Sequence, residues 1–215
     1  MRRVLPEIEK LAVDAEAKLA AKNAAREAAL GPCREATRLS ANAIRAVHRG
    51  EFDEAQALAD RAGDLIAQAR AALASQPDIL YAGFVHDAAK EYTEARVTLA
   101  LISGRGSLPR PEDLEVEVPA YLNGLGEVVG ELRRYLLDQL RLGEVERCEE
   151  CLDVMEEVYG ILVTFDYPEA MTGGLRRTTD SVRGILERTR GDLSVAVRQR
   201  VLETKLAEFE QRLGS

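Results

Sequence analysis

Residues 79–103, ILYAGFVHDAAKEYTEARVTLALIS, decide the fold, because every strong signal in the stretch favours helix. At 100° per residue Glu91 falls within about 20° of Leu80, Phe84, Thr98 and Ile102, with Asp87 and Glu94 on its flank. A carboxylate in the middle of an apolar stripe is costly to bury unless something compensates its charge. A divalent cation is one such compensation. An arginine partner, or a polar edge left in water, is the other.

Working outward, the rest of the chain also punctuates into helices. The first is expected from about Leu5 to Leu30, ending at Gly31-Pro32, and a second from there to Arg49, stopped by Gly50. A third starts at Asp53 and ends before Pro77, and Asp78 is read as the cap of the long helix that carries Glu91. GRGSLPRP (104–111) is the clearest loop. A fifth helix spans about Pro119 to Leu142, broken at Gly143, and a sixth runs from Glu144 to about Phe165. After Tyr167-Pro168 a further stretch reaches Arg190. Gly191-Asp192 then reads as a stop and a new cap before a last amphipathic segment ending near Leu213. There is neither period-2 alternation nor a solenoid repeat. The expected class is all-α, one domain over 1–215.

Composition agrees. Hydrophobic residues at 46% and charged residues at 31% mark a globular chain rather than a disordered one. Aromatics are only 5%, Trp is absent, and Ala, Leu, Glu and Arg dominate, as helices prefer. No apolar run approaches the roughly 20 residues of a membrane span, and MRRVLPEIEKL has no signal-peptide core. Three cysteines give no disulfide framework. A cytoplasmic protein with no membrane association is expected.

Two acidic groups carry the candidate chemistry. Asp87, Glu91 and Glu94 stand at i, i+4 and i+7 on one helix face. On the sixth helix Glu146, Glu149, Glu150, Asp153 and Glu157 form a broad acidic face opposite an apolar arc that includes Cys148, Cys151 and Met155. Such a face is usually just wetted, and spacing alone selects none of these acids as ligands. An oxygen-only set suits Mg²⁺ or Mn²⁺ better than zinc or iron.

Other metal chemistries fare worse. A ferritin-like di-iron site needs Glu-x-x-His pairs, whereas Arg45 and Gly83 stand three residues before His48 and His86. The all-α nucleoside-triphosphate pyrophosphatases use Glu-x-x-Glu followed soon by Glu-x-x-Asp; Glu91/Glu94 and Glu150/Asp153 imitate the letters across far too long a gap. Cys148-Glu-Glu-Cys151 has no second cysteine pair, so buried packing sulfurs are expected rather than zinc. His86 reads either as a partner or general base beside the acids, or as an ordinary surface or core histidine.

A counterpart of opposite sign lies nearer the N-terminus. Arg34, Arg38, Arg45 and Arg49 fall within about 60° of one another on a helical wheel. Only five of the 29 basic residues are lysine, so the cationic chemistry is nearly all arginine, whose forks match phosphate oxygens. Phosphate contact and ion pairing with the many glutamates are both open readings. The net charge of −8 argues against indiscriminate nucleic-acid binding, and no aromatic platform for base stacking accompanies the stripe.

Taken together these segments resemble the translin superfamily, and within it the Trax-like side, especially its archaeal members. The resemblance rests on RLSANAIRAVHRGEFDEA (38–55), VHDAAKEYTEA (85–95), DLEVEVPAYLNGLGEVVGELRR (113–134) and LRLGEVERCEECLDVMEEVYGIL (140–162), with DYPEAMTGGLRRTTDSVRGILERTRGDL (166–193) extending it. The first thirty residues match only as a generic helix. The Glu-Tyr-x-Glu-Ala element at 91–95 is the most specific part, because translin lacks this acidic pair and Trax carries it.

The resemblance implies a seven-helix bundle of the translin type and a Mg²⁺-dependent endoribonuclease, with Mn²⁺ as a substitute. Carried over, the catalytic and metal-binding acids are Glu91 and Glu94, then Glu146 and Glu150 after the Gly143-Glu144-Val145 turn. Glu146 stands where Trax commonly has Asp. Asp87 matches no family acid. The stripe Arg34, Arg38, Arg45 and Arg49 would position a nucleic-acid backbone. Single-stranded or partly structured RNA is the expected substrate, with single-stranded DNA as a further one, since a water nucleophile does not need the 2′-hydroxyl. The implied assembly is a homo-octamer, or a hetero-oligomer with a translin-like paralogue. A non-catalytic, translin-like binding oligomer is the alternative.

Overall fold

The computed structural model describes residues 5–213. They form eight helices: α1 Leu5–His48, α2 Phe52–Leu73, α3 Pro77–Leu80, α4 Gly83–Ser103, α5 Val118–Leu142, α6 Val145–Leu162, α7 Glu169–Thr172 and α8 Leu175–Leu213. No strand occurs among them. Two of the eight are single turns, against the seven helices that the resemblance implies, and the all-α class holds. The glycine stops after Ser103 and Leu142 work as read. Gly104 (φ 64°) and Gly143 (φ 82°) both adopt the left-handed conformation that ends a helix.

Two local breakers and one cap signal are overridden. Gly31-Pro32 does not end a helix: α1 runs through it for 44 residues with Pro32 inside. Ala29, Cys33 and Ala36 on either side are buried, so continuing the helix keeps a row of small side chains packed. Proline there still forfeits a hydrogen bond to the Ala28 carbonyl and crowds it. Pro32→Ala should therefore stabilise the protein by roughly 1–3 kcal/mol in chemical denaturation. An unchanged or lowered midpoint would mean that α1 needs the proline's bend.

Gly191-Asp192 is likewise passed over, because tertiary contacts claim its neighbours. Asp192 pairs with Arg133 at 2.7 Å instead of capping, Thr189 accepts from the same guanidinium at 2.9 Å, and Leu193 is buried beside Leu136 and Cys148. Asp78 does not cap α4 either. It sits in the first turn of α3, ion-paired to Lys22, and α4 begins after Ala82 without a side-chain cap.

Two up-down-up units make the bundle. In the first, α2 returns antiparallel to α1 and α4, as the pairs Asp60–Arg96 and Arg105–Asp53 along α2 and its neighbour record. Ala29 and Cys33 meet Val85 and Ala88, and Ala43 and Ile44 meet Ala95, so α1 and α4 run parallel. In the second, Cys148 against Leu136 and Leu162 beside Gly126 set α6 antiparallel to α5. Thr178 donating to Asn123 (2.6 Å) and Arg133 reaching Thr189 set α8 parallel to α5.

The two units join where α4 and α5 pack in parallel, which requires residues 104–117 to travel back the whole length of α4. That return is pinned by Leu114 and Val116, both buried, and by Arg70 donating to the Glu115 carbonyl at 2.7 Å. The main core lies along this α4–α5 seam, from Tyr92 and Val97 to Val128, Leu132, Met155 and Val182.

Candidate functional site

Glycine lets α4 and α5 approach closely. A Cβ at Gly124 would stand 2.6 Å from the Lys90 carbonyl oxygen and 2.7 Å from the Thr93 Cβ, nearer than side chains come. From that contact point Glu91 and Glu94 follow on α4, and Glu127 and Glu131 follow on α5, one turn apart from each other. Two helices running the same way therefore present their carboxylates at the same level.

The carboxylate that is buried is Glu94, at 9% exposure, and not Glu91, which is half-buried. The stripe expected around Glu91 is wider than the sequence suggested: Tyr92, Thr93, Ala95, Val97, Thr98 and Leu99 are all buried, because α1, α2 and α5 surround α4. Glu94 accepts no hydrogen bond from any described residue. Burial, then the charges of Glu91, Glu131 and Glu127, push its carboxyl up to about 8, with Lys90 opposing.

Its neighbours are each held. Lys90 bridges Glu91 at 3.5 Å and Glu127 at 3.3 Å. His48, from the last turn of α1, meets the Glu131 Oε2 through Nε2 at 2.5 Å, and Arg134 lies 3.7 Å from the same carboxylate. The His48 hydrogen bond keeps Glu131 below the ordinary carboxylate range although burial works the other way. Environments that drive two adjacent acids in opposite directions are characteristic of reactive sites.

Glu146 and Glu150 are not brought to this cluster. Both are exposed on α6, about 160° around the helix from Cys148, which faces α5 and donates to the Leu136 carbonyl at 3.4 Å. Glu150 lies with Arg147 and Tyr135 around a hollow at the C-terminal end of α4, beside Ile102 and Gly104. The acids whose charges act on Glu94, besides Glu91, come from α5 instead, and one of them, Glu127, shares Lys90 with Glu91. The signal for Glu127 and Glu131 was present in LNGLGEVVGELRR, two acids at i, i+4 among small and apolar residues, the same kind of pattern that singled out Glu91.

The remaining expected residues are also located. Asp87 is exposed. His86 packs on Gly173 at the far side of α4, its Nε2 without a partner and its pKa lowered by burial, outside the carboxylate group. Cys148 is buried and Cys151 half-buried, with both thiols shifted upward by burial, as packing sulfurs would be. On α1, Arg38 pairs with Glu35, Arg45 bonds only Asn42 and Arg34 has no partner among the described residues, whereas Arg49, in the turn just after α1, pairs with Glu51.

Among the described residues no group of three His, Cys, Asp or Glu side chains stands close enough to hold a metal ion. Lys90 between Glu91 and Glu127, and His48 on Glu131, keep the carboxylates in separate bridges. The donors are nevertheless the right kind for a hard cation: oxygen only, with one buried carboxylate that has no donor and is crowded by like charge. No described helix is long and apolar enough to cross a membrane.

No family model matches the chain. An Archaeoglobus C3PO, a translin/Trax protein, is 35% identical and superposes with a TM-score of 0.76 over 94% of this chain and 99% of that one, in a complex with duplex RNA. The same Archaeoglobus protein solved separately gives the same identity and TM-score over all of its own length. A Neurospora C3PO without ligand is 20% identical with a TM-score of 0.74, over 86% of this chain and 96% of that one, a likeness of fold. An uncharacterized protein of Methanocaldococcus jannaschii is 31% identical over 195 residues, 89% of this chain and 85% of that protein. Joined to the topology and the Glu-Tyr-x-Glu-Ala helix, these likenesses establish that the chain belongs to the translin superfamily.

Proposed function

We propose that the protein is a Mg²⁺-dependent endoribonuclease, with Mn²⁺ as a substitute, whose working carboxylates are Glu91, Glu94, Glu127 and Glu131. The observation that carries this reading is Glu94: a buried carboxyl with no donor, crowded by three acids from two parallel helices. Holding this desolvated carboxyl charged beside three like charges costs on the order of a few kcal/mol, which a bound divalent cation would offset. When bound, the cation supplies a water of lowered pKa and neutralises charge on the phosphoryl oxygens. The four glutamates would hold it, and Lys90 would leave its carboxylates to meet an incoming phosphate.

RNA as the substrate class is supported by the Archaeoglobus C3PO–duplex RNA complex. Arg34 and Arg45, free of acidic partners, are the members of the stripe available to its backbone. Arg45 lies about 60° around α1 from His48, so the stripe borders the acidic site. The assembly read from the resemblance, a homo-octamer or a hetero-oligomer with a paralogue, is supported by exposed apolar side chains at both ends of the bundle. Leu11 and Leu19 on α1, and Leu202, Leu206 and Phe209 on α8, are each more than half exposed.

Cleavage of a labelled RNA with and without Mg²⁺ tests the assignment. Glu127→Gln and Glu131→Gln should each lose at least about 100-fold, and Glu146→Gln and Glu150→Gln should stay near wild type. Full-rate cleavage in EDTA would rule out the metal assignment, whereas RNA binding with no cleavage at any Mg²⁺ concentration would leave the non-catalytic binding oligomer, a reading that the lack of a ligand-ready triad among the described residues favours. In the same system, Arg34→Ala with Arg45→Ala should weaken RNA binding and reduce the slope of log affinity against log salt by about 1–2.

A further inference from the structure

Resting on that reading, we infer that His48 is a positioning residue that fixes Glu131 as a one-oxygen donor toward the α4–α5 site. His48 closes the last turn of α1, and its side chain is 4% exposed. It crosses to another helix for a single interaction, Nε2 with the Glu131 Oε2 at 2.5 Å. Its other ring nitrogen, Nδ1, is buried with no partner.

A histidine placed only to fill space would not carry this arrangement. Burying a ring nitrogen without a partner costs about 1–3 kcal/mol, and an apolar side chain of similar size would avoid the penalty. What the imidazole supplies is direction. With Oε2 engaged, turning the carboxylate would break that hydrogen bond, and Oε1 is left without a hydrogen-bond partner among the described residues. Arg134 cannot substitute, because it lies on the same helix three residues away at 3.7 Å and is half-exposed. Groups that orient ligands in this way are worth about 10–100-fold in metal affinity.

The test compares His48→Leu, which keeps bulk without a donor, with His48→Gln, which keeps a donor, in the full chain after thermal melts. Mn²⁺ affinity is read on the RNA-free protein by electron paramagnetic resonance, and kcat and KM are read separately on RNA. His48→Leu should weaken Mn²⁺ binding by roughly 10–100-fold and lower kcat at least about 10-fold with KM for RNA unchanged. His48→Gln should recover a large part of both losses. Equal losses in the two variants, or no loss in either while wild type is active, would overturn this inference alone. A wild-type protein that neither binds Mn²⁺ nor cleaves RNA would overturn it together with the nuclease reading.

Discussion

Glu94→Gln is expected to cut metal-dependent RNA cleavage by at least about 100-fold and, in EDTA, to make the protein more heat-stable than wild type at alkaline pH. The sign follows from the direction of the shift. The Glu94 carboxyl rises from its ordinary 4.5 to about 8 in the folded chain. Below the ordinary value both folded and unfolded chains hold the proton, and nothing is lost. Between the two values the unfolded chain releases it while the folded chain keeps it, so stability drains away as pH rises. Above about 8 the loss is complete, on the order of a few kcal/mol.

Glutamine has the same shape and no charge to expose. Melting curves in EDTA should therefore coincide at pH 5 and separate by pH 9, with the variant higher. Mg²⁺ added at pH 9 should raise the wild-type midpoint and leave the variant's nearly unmoved. Parallel curves at every pH would mean that the carboxyl is not held in the surroundings described.

Where the sequence could be read and where it could not have separate physical causes. Helical class, the long helix ending at Ser103, the 104–111 loop and the stop at Gly143 were legible because each depends on a few adjacent residues, whereas the expected continuity of 79–103 is broken at Tyr81-Ala82 between α3 and α4. Gly31-Pro32, Asp78 and Gly191-Asp192 were misread for the converse reason. Their local preferences are worth about 1–3 kcal/mol, and burial of Ala29, Cys33 and Leu193, or a distant partner such as Lys22 or Arg133, outweighs them.

The site divides along the same line. Glu91 and Glu94 stood out because acids in an apolar helix are conspicuous. Their partners did not, because choosing between α5 and α6 requires the register of helices far apart in sequence. Glu146 and Glu150 belong to a helix with an ordinary wet face, and Glu127 and Glu131 belong to one packed in parallel against α4. Parallel packing follows from the long return of residues 104–117, which a loop signal reveals in length but not in direction. In the local sequence His48 offers only half of a Glu-x-x-His pair, with Arg45 in the acid's place. Its link to Glu131 spans 83 positions, which no short spacing pattern can register.

Gly124→Ala and Gly130→Ala should move the protein in opposite directions, although both add one methyl group to α5. At Gly130 a Cβ would meet nothing within 4 Å, so alanine should stabilise the helix by up to about 1 kcal/mol through its smaller loss of backbone entropy. At Gly124 the same atom would fall 2.6 Å from the Lys90 carbonyl oxygen. A backbone atom inside α4 can give way only if the whole helix moves. The strain should outweigh the propensity gain and destabilise by roughly 2–3 kcal/mol, read as an unfolding midpoint in urea. The shift would also displace Glu91 and Glu94 relative to Glu127 and Glu131, and a misplacement of about 1 Å costs on the order of 100-fold in rate. RNA cleavage should therefore collapse in Gly124→Ala while RNA binding through Arg34 and Arg45 on α1 persists. A Gly124→Ala protein as active as Gly130→Ala would separate catalysis from the α4–α5 contact, and with it from the four glutamates that the contact aligns.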